Sequence, residues 1–308
     1  MRKLLYSFFL ITLAFACTSN VNKDKNGDPN TLTIAVFGGS GDNNGSVKKA
    51  MEQFKNYLEK KLDKKIKLYI TTDYTSVIEA LHANKAQIGY LSPFSYVLAA
   101  QKKDITPIVA IGANGKPSIY HSIIFTNNQS GIIDIESLKK NAAHLSLSFS
   151  DPASTSGHLI PFAYLQSIGL NPDKNFKQIV FSGSHAATVL AVTSHKIDIG
   201  CSTKEYGTDI LVRKGLIQKN DFTILWESDP IVASPVVIRK DVNKQLADKI
   251  KLLYLNLHRD DSTVFNAYIK LYHTNPRELA YMSIDDSLYN GVRKIANSIK
   301  DVELLKNH

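Results

Sequence analysis

"FSDPASTSGHLIP" (Phe149–Pro161) sets three hydroxyl side chains in a row, Ser154, Thr155 and Ser156, directly ahead of Gly157. The run before it, "HLSLSFS", alternates as a strand does, and the run after it, "HLIPFAYLQSIG", reads as a helix. A junction of this kind leaves backbone N–H groups unpaired at the helix start, where the macrodipole favours negative charge. The hydroxyls add donors, and Gly157 lets a ligand approach the backbone closely. One hydroxyl is enough for an N-cap, so the stretch by itself is open to two readings, a plain cap or an anion site. Pro161 has no N–H and belongs in the first helical turn or at a kink.

Outward from this junction the chain alternates strands and helices. "LTIAVFGG" is β-rich, and Val47, Met51, Phe54, Leu58 and Leu62 then repeat at three and four as one helical stripe. "KIKLYIT" alternates, with Ile66, Leu68 and Ile70 on one face. A helix through Val77, Ala80 and Leu81, strand "QIGYLS", helix "FSYVLAAQ" and strand "ITPIVAIG" follow. Repeated βαβ units imply a largely parallel sheet covered by helices. A second series runs through "IESLKK", the opening motif, "FKQIVFSGS", "AATVLAVTSHK", "KIDIGCS" and "FTILWES", and residues 243–258 and 285–300 read as helices. Two extended stretches, near Ile119–Thr126 and Pro230–Arg239, divide these series. The simplest architecture is an outer lobe from both chain ends, 31–120 and 235–308, and an inner lobe, 121–234. Two crossing strands join them as a hinge, with a cleft between.

The first residues stand apart. "MRKLLYSFFLITLAFAC" has a basic start, an apolar run from Leu4 to Ala16 too short to span a bilayer stably, and then Cys17. This predicts an export signal over 1–16, lipidation of Cys17 at the envelope membrane, and a flexible polar tether over 17–30. Of the two cysteines, Cys201 then has no disulfide partner and reads as a small buried residue of a strand. The composition, 44% hydrophobic and 21% charged, is that of a globular chain rather than a disordered one. The formal charge of +9 drops to +7 once Arg2 and Lys3 leave with the signal. Its lysines are dispersed over helices without interleaved aromatics, which argues against nucleic acid. No metal or cofactor site is expected. "FGGSGDNNG" (Phe37–Gly45) lacks the G-x-x-x-x-G-K-[ST] pattern of a phosphate loop.

"DPASTSGHLIP", followed by "FSGSHAATVLAV" and "KIDIG", resembles the phosphate/phosphite/phosphonate-binding proteins of bacterial ABC transporters. "TTDYTSVIEAL", "LSPFSYVLA" and "LWESDPIVASPVVIRKD" match the same family in the same order, from about Thr31 to at least Asp241. The resemblance implies an α/β, two-lobed periplasmic-binding-protein fold (type II) with two hinge crossings and a ligand cleft between lobes. It implies a non-enzymatic receptor that binds phosphonate, phosphite or phosphate and delivers it to the permease and ATPase subunits of an importer, acting as a monomer. It places the ligand against Tyr74, Tyr120, the hydroxyls of Ser154, Thr155 and Ser156, and His185 of "SGSH". Relatives that bind aminoalkyl phosphonates carry two carboxylates for the amine. One matches Glu205; the other falls at Ser234, which favours a ligand without the amine.

Other readings are a receptor for a sulfonate or sulfate on the same scaffold, a sensory ectodomain serving a separate signalling protein, and an exported hydrolase. The last would use Ser184 with His185 or a serine of "STS". Adjacent Ser-His is poor triad geometry, and no G-x-S-x-G elbow appears.

Overall fold

The stripe Val47, Met51, Phe54, Leu58 and Leu62 is buried along the helix Ser46–Leu62, the first cover on a seven-stranded sheet. The computed structural model describes residues 30–38, 45–102, 104–273 and 276–299. The export signal, Cys17, most of the tether and the tip of the Phe37–Gly45 loop lie outside the described residues.

In the larger sheet the strands run in the order Leu279–Ser283, Ile105–Ala113, Pro235–Arg239, Ile88–Tyr90, Thr31–Phe37 and Lys65–Thr71, with the short Lys116–Pro117 paired to Ile105–Ala113. Thr31–Phe37 is parallel to both of its neighbours. Pro235–Arg239 enters antiparallel between Ile88–Tyr90 and Ile105–Ala113. The sheet is therefore mixed, where the βαβ pattern alone predicts a mostly parallel one. The reason is connectivity: a chain returning from the other lobe enters the sheet from the opposite end. Ile70 also departs from its alternation. It lies on the edge strand of the described sheet and is 36% exposed.

Helices cover both faces. Ser46–Leu62, Lys244–Asp260 and Ser262–Ile269 enclose one core, with Phe54, Leu58, Tyr254 and Phe265 inside. Tyr74–His82, Pro93–Lys102 and Asn290–Ser298 cover the other face through Leu81, Phe94 and Val292. Burying side chains of this size stabilises by roughly 1.5–3 kcal/mol each. The terminal helix begins later than its periodicity suggests, because Asp285 accepts from Ser287 N–H and a tight turn, Asp286–Tyr289, precedes it.

The smaller sheet has the order Phe222–Glu227, Ser122–Asn127, Ile199–Thr203, Ser146–Phe149 and Gln178–Phe181. Phe125 and Ile123 pack under His185–Thr193 and Asp209–Arg213, while Leu147 and Phe149 pack under Ile160–Ser167. Cys201 is a fully buried free thiol of the central strand. Between the sheets the two crossings pair with each other: Ile119–Tyr120 runs antiparallel to Ile231–Val232, with Tyr120 opposite Ile231.

Candidate functional site

The opening motif folds as a wide turn. Ser154 caps it, accepting the Gly157 N–H at 3.0 Å, and the Leu159 N–H reaches back five residues to the Ser154 carbonyl at 3.0 Å. Pro161, second in the helix Ile160–Ser167, has no N–H to bond Gly157 four residues back. The Gly157 carbonyl instead accepts the Ser150 N–H at 2.9 Å, which ties the turn to the end of its strand. Wide turns of this kind recur at functional sites. A second one, Lys204–Thr208, follows the strand Ile199–Thr203.

These turns face a cavity of about 140 Å³ between the sheets. From the smaller lobe it receives Ser154, Ser156, His185, Thr203 and Tyr206; from the crossings, Tyr120 and Ser234; from the larger lobe, Tyr74 and Ser92. The rest is an aromatic wall. Phe37 lies 4.3 Å from the ring of Tyr74, Tyr90 meets Tyr268 at 5.6 Å, and Tyr268 meets Tyr272 at 5.4 Å. Tyr206 touches Tyr120 at 5.5 Å and Tyr272 at 5.9 Å, closing the ring.

The polar groups lining the cavity are all neutral at pH 7. Burial pushes His185 down to about 4, and its Nδ1 sits 3.2 Å from both Ser150 Oγ and Ser202 Oγ. Burial, with the charge of Asp151 among the lesser causes, keeps the Tyr74 phenol protonated far into the alkaline range. Burial raises Tyr120 likewise, and the hydroxyls of Thr155, Ser156 and Ser234 offset part of that rise. Among the described residues no lysine, arginine or carboxylate lines the cavity, and no group of three His, Cys, Asp or Glu is placed to hold a metal.

Two of the residues singled out in the sequence point elsewhere. Thr155 is not on the cavity lining: its hydroxyl stands behind the Tyr120 phenol and accepts the Phe94 N–H of the opposite lobe at 2.8 Å. Glu205 lines a second, outer cavity of about 410 Å³ that shares Tyr206, Tyr272, His273 and Ser118 with the first. Both of its oxygens are taken up by His121: Oε2 accepts the backbone N–H at 2.8 Å and Oε1 lies 2.6 Å from Nδ1. Ser184 is the N-cap of His185–Thr193, its hydroxyl accepting the Ala187 N–H at 3.1 Å, so Ser184 and His185 form no nucleophile–base pair.

The sequence model of a family described as the periplasmic phosphonate substrate-binding proteins of ABC transporters matches residues 41–274. The chain belongs to this family. It is the substrate-binding component of an ABC importer and not an enzyme. It is 25% identical over 303 residues to the phosphate-import protein PhnD of Mycolicibacterium smegmatis, covering 92% of each chain. It is 27% identical over 212 residues to the phosphonates-binding periplasmic protein of Escherichia coli, covering 68% of this chain and 62% of the relative. Its fold is similar to that of PhnD1 from Prochlorococcus marinus, solved in complex with methylphosphonate. The TM-score is 0.74 at 20% identity, over 88% of this chain and 98% of that one.

For a phosphonate-family receptor, the part of the site that sequence reasoning overlooks is the aromatic wall. Tyr268, Tyr272, His273 and Tyr281 come from residues 262–283, which have neither clean alternation nor a long apolar stripe. Tyr268 is in the last turn of the helix Ser262–Ile269 and Tyr272 lies beyond its end, so no helical spacing links the two. Thr203 and Tyr206 flank Glu205 in "STKEYG" and line the main cavity in its stead.

Proposed function

We propose that this receptor binds a small phosphorus oxyanion whose substituent is uncharged, such as methylphosphonate or phosphite. The observation that carries this is the division of the cavity into a hydroxyl-rich end, with Ser154, Ser156, Thr203 and His185, and an aromatic wall, with no ionised side chain among the described residues of the lining. Oxygens at the first end would take O–H and N–H donors at the start of two helical segments, where the backbone supplies positive potential. Tyr74 and Tyr120 complete the shell as phenol donors. Ser202 Oγ lies 3.2 Å from Nδ1; in our reading it donates there, so that the His185 ring carries its proton on Nε2 and offers it to the anion. Ser234 stands at the crossing where amine-binding relatives carry aspartate, and Glu205 is occupied by His121, so among the described residues nothing on the lining neutralises an ammonium group.

The receptor works in our reading as a monomer of two lobes, 31–120 with 235–308, and 121–234, that close about the crossings Ile119–Tyr120 and Ile231–Val232. Its sequence supports export through residues 1–16 and anchoring by a lipid on Cys17, with 17–30 as the tether. Calorimetry of the delipidated protein against methylphosphonate, phosphite, phosphate, 2-aminoethylphosphonate, sulfate and methanesulfonate tests the ligand class. Methylphosphonate or phosphite should bind more tightly than 2-aminoethylphosphonate by tenfold or more, about 1.4 kcal/mol. Preference for the amine-bearing ligand, or for a sulfur oxyanion, would overturn the assignment.

A further inference from the structure

The loop 151–156 faces two ways. Ser154 and Ser156 line the cavity, whereas Asp151, Ala153 and Thr155 reach across to the larger lobe. Asp151 Oδ2 accepts the Tyr74 N–H at 3.3 Å, the Ala153 carbonyl accepts the Ser92 hydroxyl at 3.2 Å, and Thr155 Oγ1 accepts the Phe94 N–H at 2.8 Å. Tyr74 and Phe94 lie in the first turns of Tyr74–His82 and Pro93–Lys102, where backbone N–H groups have no partner within the helix. These bonds must break for the lobes to part.

Asp151 is the unusual member. It is 2% exposed, its Oδ1 accepts the Ala153 N–H at 2.7 Å, and among the described residues no lysine, arginine or histidine forms an ion pair with it. The charged neighbour from the opposing helix is Asp73, which repels it; Tyr74, the titratable group beside it there, is protonated. On its own lobe the nearest titratable side chain along the loop is His158, which burial pushes down to about 4 and which bonds the Pro152 carbonyl. A carboxylate in this position is buried by lobe closure and receives no cation in exchange.

We propose that Asp151 is a proton-linked latch, so that closing the lobes over the ligand seats its carboxyl on the helix start at Tyr74 and takes up a proton from solvent. This rests on the reading that ligand is held between closed lobes. Desolvation raises the closed-state carboxyl to about 6, against the lowering effect of the Ala153 and Tyr74 N–H groups. Solvent returns it towards the ordinary 3.8 when the lobes separate. The closed state thus binds the proton more tightly, and closure is favoured as pH falls through about 6 towards 4. An oxyanion at Ser154 and Ser156 adds a further negative charge and acts in the same direction.

The test compares wild type with Asp151→Asn, which removes the titration and keeps one acceptor oxygen, enough for the Tyr74 N–H or the Ala153 N–H but not both. Calorimetry with methylphosphonate and phosphite in buffers of different ionisation enthalpy counts protons taken up on binding. The ligand's own titration is common to both proteins, so the difference reports Asp151. Wild type should take up roughly 0.7 proton more than the variant at pH 5.5 and almost none more at pH 7.5. Its affinity should rise roughly tenfold more than the variant's between pH 7.5 and 5.0. Equal proton counts and equal pH profiles would overturn the latch while leaving the ligand assignment intact. If neither probe binds, the ligand reading fails, and small-angle scattering of the unliganded protein decides the latch. Wild type should become more compact between pH 7.5 and 5.0 and Asp151→Asn should not; an invariant wild-type radius would overturn it.

Discussion

Gly157→Ala adds one methyl group at the tightest point of the oxyanion loop. A Cβ there would lie 2.5 Å from Ser150 Cβ, 2.6 Å from Ser150 Oγ and 2.9 Å from Ser154 Oγ. Ser150 has no room to retreat, because its N–H is held by the Gly157 carbonyl at 2.9 Å and its hydroxyl donates to the Cys201 carbonyl at 2.9 Å. The turn itself must move, by roughly 1 Å to restore ordinary contact, at a cost of roughly 1–3 kcal/mol. Each kcal/mol lowers Tm by about 2–4 °C for a chain a little smaller than this one, so a loss of roughly 3–10 °C is expected by scanning fluorimetry. The displacement carries Ser154 and Ser156 with it. Losing one good bond to a charged oxygen, worth about 1.5–3 kcal/mol, weakens methylphosphonate binding about 10- to 150-fold by calorimetry. Gly291→Ala is the control: it lies in the helix Asn290–Ser298 with nothing within 4 Å of the new Cβ, and it should leave affinity unchanged and stability equal or slightly higher. An unchanged Tm and affinity for Gly157→Ala would refute the claim that this close approach shapes the site.

Two further outcomes follow from groups around the cleft. Burial holds His158 and His185 at about 4 against an ordinary 6.5, so the unfolded chain binds more protons than the folded one between those values. Stability is therefore full above about pH 6.5 and falls on acidification, by roughly 3 kcal/mol per ring once below 4, with Asp151 offsetting part because its shift has the opposite sign. Melting curves from pH 7.5 to 4.5 should show Tm falling less steeply in His158→Gln than in wild type; equal slopes would refute this. Glu205→Gln should weaken methylphosphonate and 2-aminoethylphosphonate by the same factor, less than about fivefold, since the carboxylate serves His121 at the hinge. A loss confined to the amine-bearing ligand would return Glu205 to direct contact with ligand.

The sequence by itself determined the parts whose physics is local. The spacing of Val47 to Leu62 makes a one-sided helix wherever it is placed. A serine three residues before a backbone N–H caps a turn, as Ser154 and Ser184 do. Pro161 denies Gly157 its helical partner and widens that turn regardless of the other lobe. Tertiary structure alone decided which hydroxyl serves which purpose. Within one loop Ser156 looks into the cavity, while Thr155 satisfies a helix start of the other lobe, a choice fixed by what stands opposite. Glu205 was legible as a carboxylate near the site, yet its engagement depends on His121, 84 positions away in the chain. The aromatic wall from residues 262–283 was not legible at all, because those tyrosines follow the curve of a cleft rather than the period of a strand or helix. Charge was decided last. His185, Tyr74 and Asp151 have ordinary side chains in the sequence, and only the removal of water by two lobes meeting makes the first a neutral donor, the second a permanent one, and the third a carboxyl that titrates near 6.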